Sequence, residues 1–355
     1  MNIELGIIEG FFGQPWSWRE RERVCTMLAR HGYGFYLYAP KADPYLRRRW
    51  MEPHPPEVAA ALARFGELCR LQGVRFGIGL SPYEAYRQFD DIARDALARK
   101  LAEFDTHGVD DLALLFDDMS GEIPELADRQ AEIIHWAQAR TDASRVLTCP
   151  SYYSDDPVLD RVFGSRPEGY LERLGALLDP AIEVFWTGEE VCSREISVGH
   201  LQRVTRQLGR KPFLWDNYPV NDGERMSRFL HLRGFTGRPA TLASHLAGHG
   251  INPALQPTLT CIPALTLAES YQAGLGYEYG QAFQRAAHQV LGKALGDDVC
   301  ADLLTLQDAG LDRISTARKN ALLARYGQHD HPGADEIVRW LNGDYGMSDE
   351  LVQTQ

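Results

Sequence analysis

Apolar residues in this chain gather in short runs bounded by turn formers, and between the runs they recur at helical spacing. Eight runs read as strands, over residues 3–9, 34–39, 75–80, 112–116, 145–149, 182–186, 212–215 and 245–251. Most are near-continuous in hydrophobicity instead of alternating, which is how a strand covered on both faces reads. Helical spacing fills residues 19–31, 56–72, 91–106, 124–140 and 193–208, often opened by the Ser, Asp or Pro that helix starts favour. Strand then helix, repeated, is the parallel α/β signature, and eight strands predict a TIM (β/α)8 barrel. An open doubly wound sheet would usually bring a glycine-rich phosphate loop after its first strand, and Gly10-Phe11-Phe12-Gly13-Gln14-Pro15 is not one. From Tyr277 onward only helical spacing remains, over 281–291, 298–306 and 313–324. The expected organisation is a catalytic barrel over residues 1–275 and a small helical appendage over 276–355, the stretch after Gly343 left open between disorder and packing on a partner.

Composition changes this picture little. A chain of 355 residues, 44% hydrophobic and 24% charged, suits one large barrel with an appendage. No apolar stretch is long enough to span a bilayer, and the N-terminus enters a strand pattern without the features of a signal peptide. A cytoplasmic protein with no membrane partner is expected. The formal net charge of −12 repels phosphate backbones and argues against nucleic acid. The one strongly basic run, Arg47-Arg48-Arg49, reads as a solvated loop face. Six cysteines, scattered with neither CxxC nor Cys/His metal spacing, read as free, mostly buried thiols.

The placement of charge says more. Leu112-Ala113-Leu114-Leu115-Phe116 runs straight into Asp117-Asp118, two carboxylates at the carboxyl end of a buried strand, where barrels carry their chemistry. Two close carboxylates cannot both ionise cheaply, so one tends to keep a proton, which is the division glycoside cleavage requires. A helix-capping pair is the ordinary reading of a bare Asp-Asp. The other strand ends shift the balance: they offer Glu9-Gly10, Lys41 and Asp43, Ser81-Pro82-Tyr83, Tyr152-Tyr153, Trp186-Thr187-Gly188, Trp215-Asp216-Asn217 with Asn221-Asp222, and Asn252-Pro253, groups that donate to and accept from hydroxyls beside aromatic rings that stack on a sugar. Histidine is almost absent there, which weakens Ser-His and Cys-His hydrolases and histidine-rich metal barrels.

Five stretches carry a resemblance in the same order: Glu9-Gly10-Phe11-Phe12-Gly13-Gln14-Pro15-Trp16, Tyr36-Leu37-Tyr38-Ala39-Pro40-Lys41, Leu115-Phe116-Asp117-Asp118, Trp186-Thr187-Gly188, and Trp215-Asp216-Asn217-Tyr218-Pro219-Val220-Asn221-Asp222. Taken together they resemble glycoside hydrolase family 84, which contains bacterial β-N-acetylglucosaminidases and protein O-GlcNAcases. The resemblance implies retaining, substrate-assisted hydrolysis of terminal β-linked N-acetylglucosamine through an oxazoline, with no enzyme nucleophile, cofactor or metal. It implies that Asp117 orients the acetamido N–H and that Asp118 serves as general acid, then general base. It places Tyr153, Trp215, Thr187 and Val191 around the acetyl group, Asn217 at the acetamido end, and Gly10, Lys41, Asp222 and Asn252 on sugar hydroxyls. The ordinary readings are a strand-end turn for Gly10, a surface salt bridge for Lys41, core packing for the pocket-forming side chains and turn roles for Asn217 and Asn252.

Beyond Asn252-Pro253 the chain runs Ala254-Leu255-Gln256-Pro257, where many bacterial relatives carry an acidic residue several positions on, so the last loop is left open in shape. The expected partner is an N-acetylglucosamine-bearing glycoconjugate, an O-GlcNAc protein among the candidates. The helical tail offers a surface for homo-oligomerisation. A non-catalytic N-acetylhexosamine-binding barrel acting as sensor or adaptor is the alternative, and a hydrolase holding a metal on Asp117, Asp118 and Asp222 ranks behind it.

Overall fold

The computed structural model describes residues 3–348. Strands β1 (Leu5–Glu9), β2 (Tyr33–Tyr38), β3 (Arg75–Leu80), β4 (Asp111–Leu115), β5 (Arg145–Cys149), β6 (Glu183–Trp186), β7 (Phe213–Asp216) and β8 (His249–Ile251) are all parallel and pair in sequence order, β8 returning to β1. The sheet is therefore a closed barrel, as the eight apolar runs predict. Around it lie α1 (Trp18–Ala29), α2 (Pro56–Leu71), α3 (Asp91–Thr106), α4 (Leu126–Gln138), α5 (Pro157–Phe163), α6 (Tyr170–Leu177), α7 (Val198–Leu208) and α8 (Pro257–Ala273). Several begin where the sequence supplies a cap: Ser17 and Glu20 form a reciprocal capping box on α1, while Asp90 and Ser197 cap α3 and α7.

The barrel interior is filled, not hollow. Its amino-terminal mouth is closed by Glu4, Arg75, Asp111 and Arg145, with Arg145 Nη2 2.5 Å from Asp111 and its Nη1 2.6 Å from Glu4. Aromatic rings meet edge to face above this layer, Phe35 on Phe213, Phe213 on Phe185 and Phe185 on Trp215, with centroids 5.2–5.3 Å apart. That column ends under the carboxyl mouth and supports Trp215 from below.

Some expectations change. The eighth strand shortens to His249–Ile251, residues 245–248 forming turn and loop after the 3-10 turn Ala240–Ser244. Helices α5, α6 and α8 were not legible, α8 because apolar residues surround it on every side. Past the barrel, α9 (Tyr279–Leu291), α10 (Lys293–Leu303) and α11 (Thr316–Tyr326) fall on the three helical stretches expected, α10 running on into a π-helical turn over Leu304–Ala309, whereas α12 (Pro332–Asn342) was not anticipated. These helices join the hydrophobic cluster of the barrel. After Gly343 the described residues pack on their own chain, with Tyr345 and Met347 buried.

Candidate active site

All eleven residues singled out in the sequence line one cavity of ≈ 150 Å³ at the carboxyl mouth of the barrel. Gly10, Lys41, Tyr153, Thr187 and Asn252 come from just past β1, β2, β5, β6 and β8; Trp215 lies on β7, with Asn217 and Asp222 following it. Residues more than 200 positions apart become neighbours because parallel strands release their ends on the same side. Phe12, Cys149, Cys192 and Val220 also line the cavity and were missed. Phe12 and Val220 sit inside the quoted motifs, so a signal existed for them; the two cysteines looked like any other scattered thiols.

The two aspartates are not equivalent. Asp117 is buried, and its Oδ2 lies 2.5 Å from Lys41 Nζ, while its Oδ1 is buried without a hydrogen-bond partner. Asp118 stands further out, its side chain 22% exposed against 7% for Asp117. Its Oδ1 accepts the Tyr153 hydroxyl at 3.1 Å and its Oδ2 lies 3.6 Å from Lys41 Nζ. The repulsion expected between adjacent carboxylates is thus met by a buried cation between them, and Lys41 is no surface salt bridge. Asp118 has φ of 56°, in the left-handed region that costs an L-residue roughly 1 kcal/mol or more. Burial, with Asp118 adding to it, holds the Tyr153 hydroxyl well above the usual phenol range, so it remains a donor.

Opposite the aspartates, an amide chain ties four loops together. Gly10 N–H donates to Asn252 Oδ1 at 3.3 Å, Asn252 Nδ2 to Asn217 Oδ1 at 3.0 Å, and Asn217 Nδ2 to the Val191 carbonyl at 2.8 Å. Asn217 Oδ1 also accepts from Trp215 Nε1 at 3.2 Å. Both asparagines therefore bridge loops, which a local turn role does not explain. Trp215 packs so closely on Gly10 that a Cβ there would lie 2.3 Å from Cζ2. The Thr187 hydroxyl is engaged by the Glu190 carbonyl at 3.2 Å. Asp222 Oδ2 accepts the Phe12 N–H at 2.8 Å; burial foremost, with Asp118 adding, pushes its carboxyl up to about 6 although the Phe12 N–H opposes the shift. Burial, then Asp117, holds the Cys149 thiol well above its ordinary value, which leaves it a poor nucleophile.

Other polar strand-end residues serve the scaffold. Glu9 is paired with Arg21 at 2.7 Å and accepts from Tyr36, Asp43 accepts from Tyr38, Tyr152 donates to the Gly164 carbonyl, and Asn221 bonds Gln256, Phe229 and Leu255. Asp216 is locked by Arg238 at 2.7 Å and by His249 at 3.0 Å. Arg47 contradicts its sequence reading: it is 4% exposed and donates from Nη2 to the Asp118 carbonyl at 3.1 Å. Loop closure over the mouth, invisible in a run of three arginines, buries the first of them. Among the described residues no group of three or more His, Cys, Asp or Glu is placed to hold a metal, and no helix is long and apolar enough to cross a membrane.

Residues 5–306 match a family described as beta-N-acetylglucosaminidase. The protein O-GlcNAcases of Mus musculus and Rattus norvegicus are each 30% identical to the chain over 279 residues, 76% of this chain. That match spans only 30% of the length of either relative. Among solved structures, a mutant of the Thermobaculum terrenum O-GlcNAc hydrolase superposes with a TM-score of 0.79 at 28% identity, covering 96% of this chain and 80% of that one. CpGH84B superposes with a TM-score of 0.75 at 22% identity over 96% of this chain and 66% of its own, which bears on the fold alone.

Proposed function

Because the chain belongs to the β-N-acetylglucosaminidase family, the glycoside hydrolases of family 84, we propose that it removes terminal β-linked N-acetylglucosamine by substrate-assisted hydrolysis with retention. The observation that carries the mechanism is the buried, unpartnered Oδ1 of Asp117. An acceptor left unpaired in a closed site costs free energy unless a ligand donor meets it. An acetamido N–H is such a donor, and the wall formed by Tyr153, Thr187, Val191 and Trp215 gives the attached methyl a place beside it.

In the first step the acetamido oxygen attacks the anomeric carbon, the bond to the aglycone oxygen breaks, and Asp118 gives that oxygen its proton. Asp117, anchored by Lys41, holds the N–H and balances the positive charge that develops on the oxazolinium. In the second step Asp118 takes a proton from water, the hydroxide adds to the anomeric carbon, and the ring reopens to the acetamide. Each displacement inverts the anomeric carbon, so the net configuration is retained. The greater exposure of Asp118 and its hydrogen bond from Tyr153 suit a group that exchanges protons with aglycone and water in turn. Gly10, Lys41, Asp222 and Asn252 take sugar hydroxyls in this reading, and glycoconjugates bearing N-acetylglucosamine, O-GlcNAc proteins among them, are its substrates.

Hydrolysis of chromogenic β-N-acetylglucosaminides with good and poor leaving groups tests it. Asp117→Ala is expected to lose about 10²–10³-fold in kcat on both, as removal of a transition-state partner does. Asp118→Ala is expected to keep more activity on the good leaving group, which needs less protonation. A wild-type protein that binds N-acetylglucosamine yet turns over none of these donors would refute the proposal in favour of a sugar-binding barrel.

A further inference from the structure

Two consecutive residues on extended chain send their side chains to opposite faces, yet Asp117 and Asp118 both face one cavity. The left-handed φ of 56° at Asp118 breaks the alternation and turns its carboxyl back toward Asp117. Such a backbone persists only where its surroundings hold it. The group in place to do so is Arg47, whose Nη2 donates to the Asp118 carbonyl at 3.1 Å. Its guanidinium lies 5.9 Å from the Phe12 ring centroid and 5.4 Å from that of Tyr83. Nε and Nη1 are buried without a hydrogen-bond partner. A buried cation with so few partners is unfavourable on its own, so packing alone does not account for an arginine here.

The loop that delivers Arg47 is itself fixed. Ser81 N–H donates to the Leu46 carbonyl at 2.7 Å, and Asp43 accepts from Tyr38 at 3.0 Å. His54 lies between Asp43, at 3.3 Å, and Glu103, at 2.6 Å. The chain from Lys41 to His54 therefore presents two cations to the aspartate pair from one rigid support: Lys41 to the carboxylates, Arg47 to the backbone.

We infer that Arg47 is a positioning residue for the reaction: by clamping the Asp118 carbonyl it keeps that residue left-handed and its carboxyl aimed at the glycosidic oxygen. This rests on the proposed hydrolase reading. Arg47→Met and Arg47→Lys, assayed with the same pair of leaving groups, test it. Arg47→Met should lower kcat by about 10²-fold on the poor leaving group, the loss a 1 Å misplacement causes. The loss on the good one should be smaller and KM unchanged, a pattern that follows Asp118 and not general unfolding. Arg47→Lys, which keeps a cation and a donor, should recover part of the activity. Equal losses on both leaving groups, a change in KM alone, or no loss would overturn the inference. A crystal structure of Arg47→Met separates it from the proposed function: should the wild type prove inactive, the hydrolase reading falls, and Asp118 leaving the left-handed region would still support the clamp. Asp118 unmoved in that structure would sink it.

Discussion

Asp222 illustrates how position sets the chemistry of a single side chain. Burial, more than any neighbour, lifts its carboxyl to about 6, so it changes charge within the working range of a hydrolase. If, as proposed, the ionised carboxylate accepts a sugar hydroxyl, it contributes only above that value, so kcat/KM should rise as pH rises through about 6. Stability moves the other way: the folded state holds this proton more tightly than the unfolded chain, so the contribution is present below the unfolded value near 3.8 and lost as pH rises through about 6. Asp222→Asn, neutral at all pH, should lower the plateau of kcat/KM by about 10–100-fold, the worth of a hydrogen bond to a charged group, and remove the limb near 6. A limb persisting unchanged in the variant would assign it to another group. None of this was legible in the sequence, which supplied Asp222 through a motif and could say nothing of its burial. Gly10 is the reverse case: its contact with Trp215 accounts for the residue type that the motif merely records.

Among the elements, the strands were read more surely than the helices, since a fully covered strand is a short apolar run whatever packs on it. The ranges 75–80 and 145–149 agree with β3 and β5, and 91–106 with α3. Helix α8 escaped because α1, α9 and α12 cover it, so no polar face remains to give a period. Its start is held from outside: Glu336 on α12 accepts the Thr258 and Leu259 N–H groups, both at 2.9 Å. These are donors that a helix N-terminus leaves unpaired, and a carboxylate there also meets the positive end of the helix dipole. Burial nevertheless outweighs these N–H groups and pushes the Glu336 carboxyl up to about 7. Its contribution to stability is therefore present below the unfolded value near 4.5 and lost as pH rises through about 7, by on the order of 3 kcal/mol at most. The melting temperature should fall between pH 5 and pH 8, and Glu336→Gln should flatten that fall from a lower starting value, since the amide keeps one of the two acceptor oxygens. Thermal unfolding monitored by circular dichroism across this range checks it; an equal fall in both proteins would remove Glu336 as its cause.

At the scale of the whole molecule, the helices after residue 276 support the loops of the mouth. Gln307 Oε1 accepts from the Leu232 and Arg233 N–H groups at 2.9 and 2.7 Å, Trp340 Nε1 donates to the Ser227 carbonyl at 3.2 Å, and Met347 packs on Gly13 in the loop that carries Gly10 and Phe12. A chain ended at residue 276 would lose these ties and expose the apolar flank of α8, so it should aggregate or lose activity; size-exclusion chromatography and turnover measure this. A monodisperse, fully active fragment would show that the barrel needs no such support. What the sequence determined by itself was the barrel, from eight covered strands, and that strand-end residues converge at one mouth; which of them line the cavity it offered only through the family motifs, since Glu9, Asp43, Tyr152, Asp216 and Asn221 stand at the same ends and serve the scaffold. Tertiary structure alone decided how those residues are wired: which aspartate is enclosed, that Lys41 lies between the two, that Asn217 and Asn252 join loops, and that Arg47 is buried against Asp118. Periodicity reports which face of an element is covered, whereas burial, charge pairing and backbone hand at a given side chain depend on neighbours that meet only when the chain has folded.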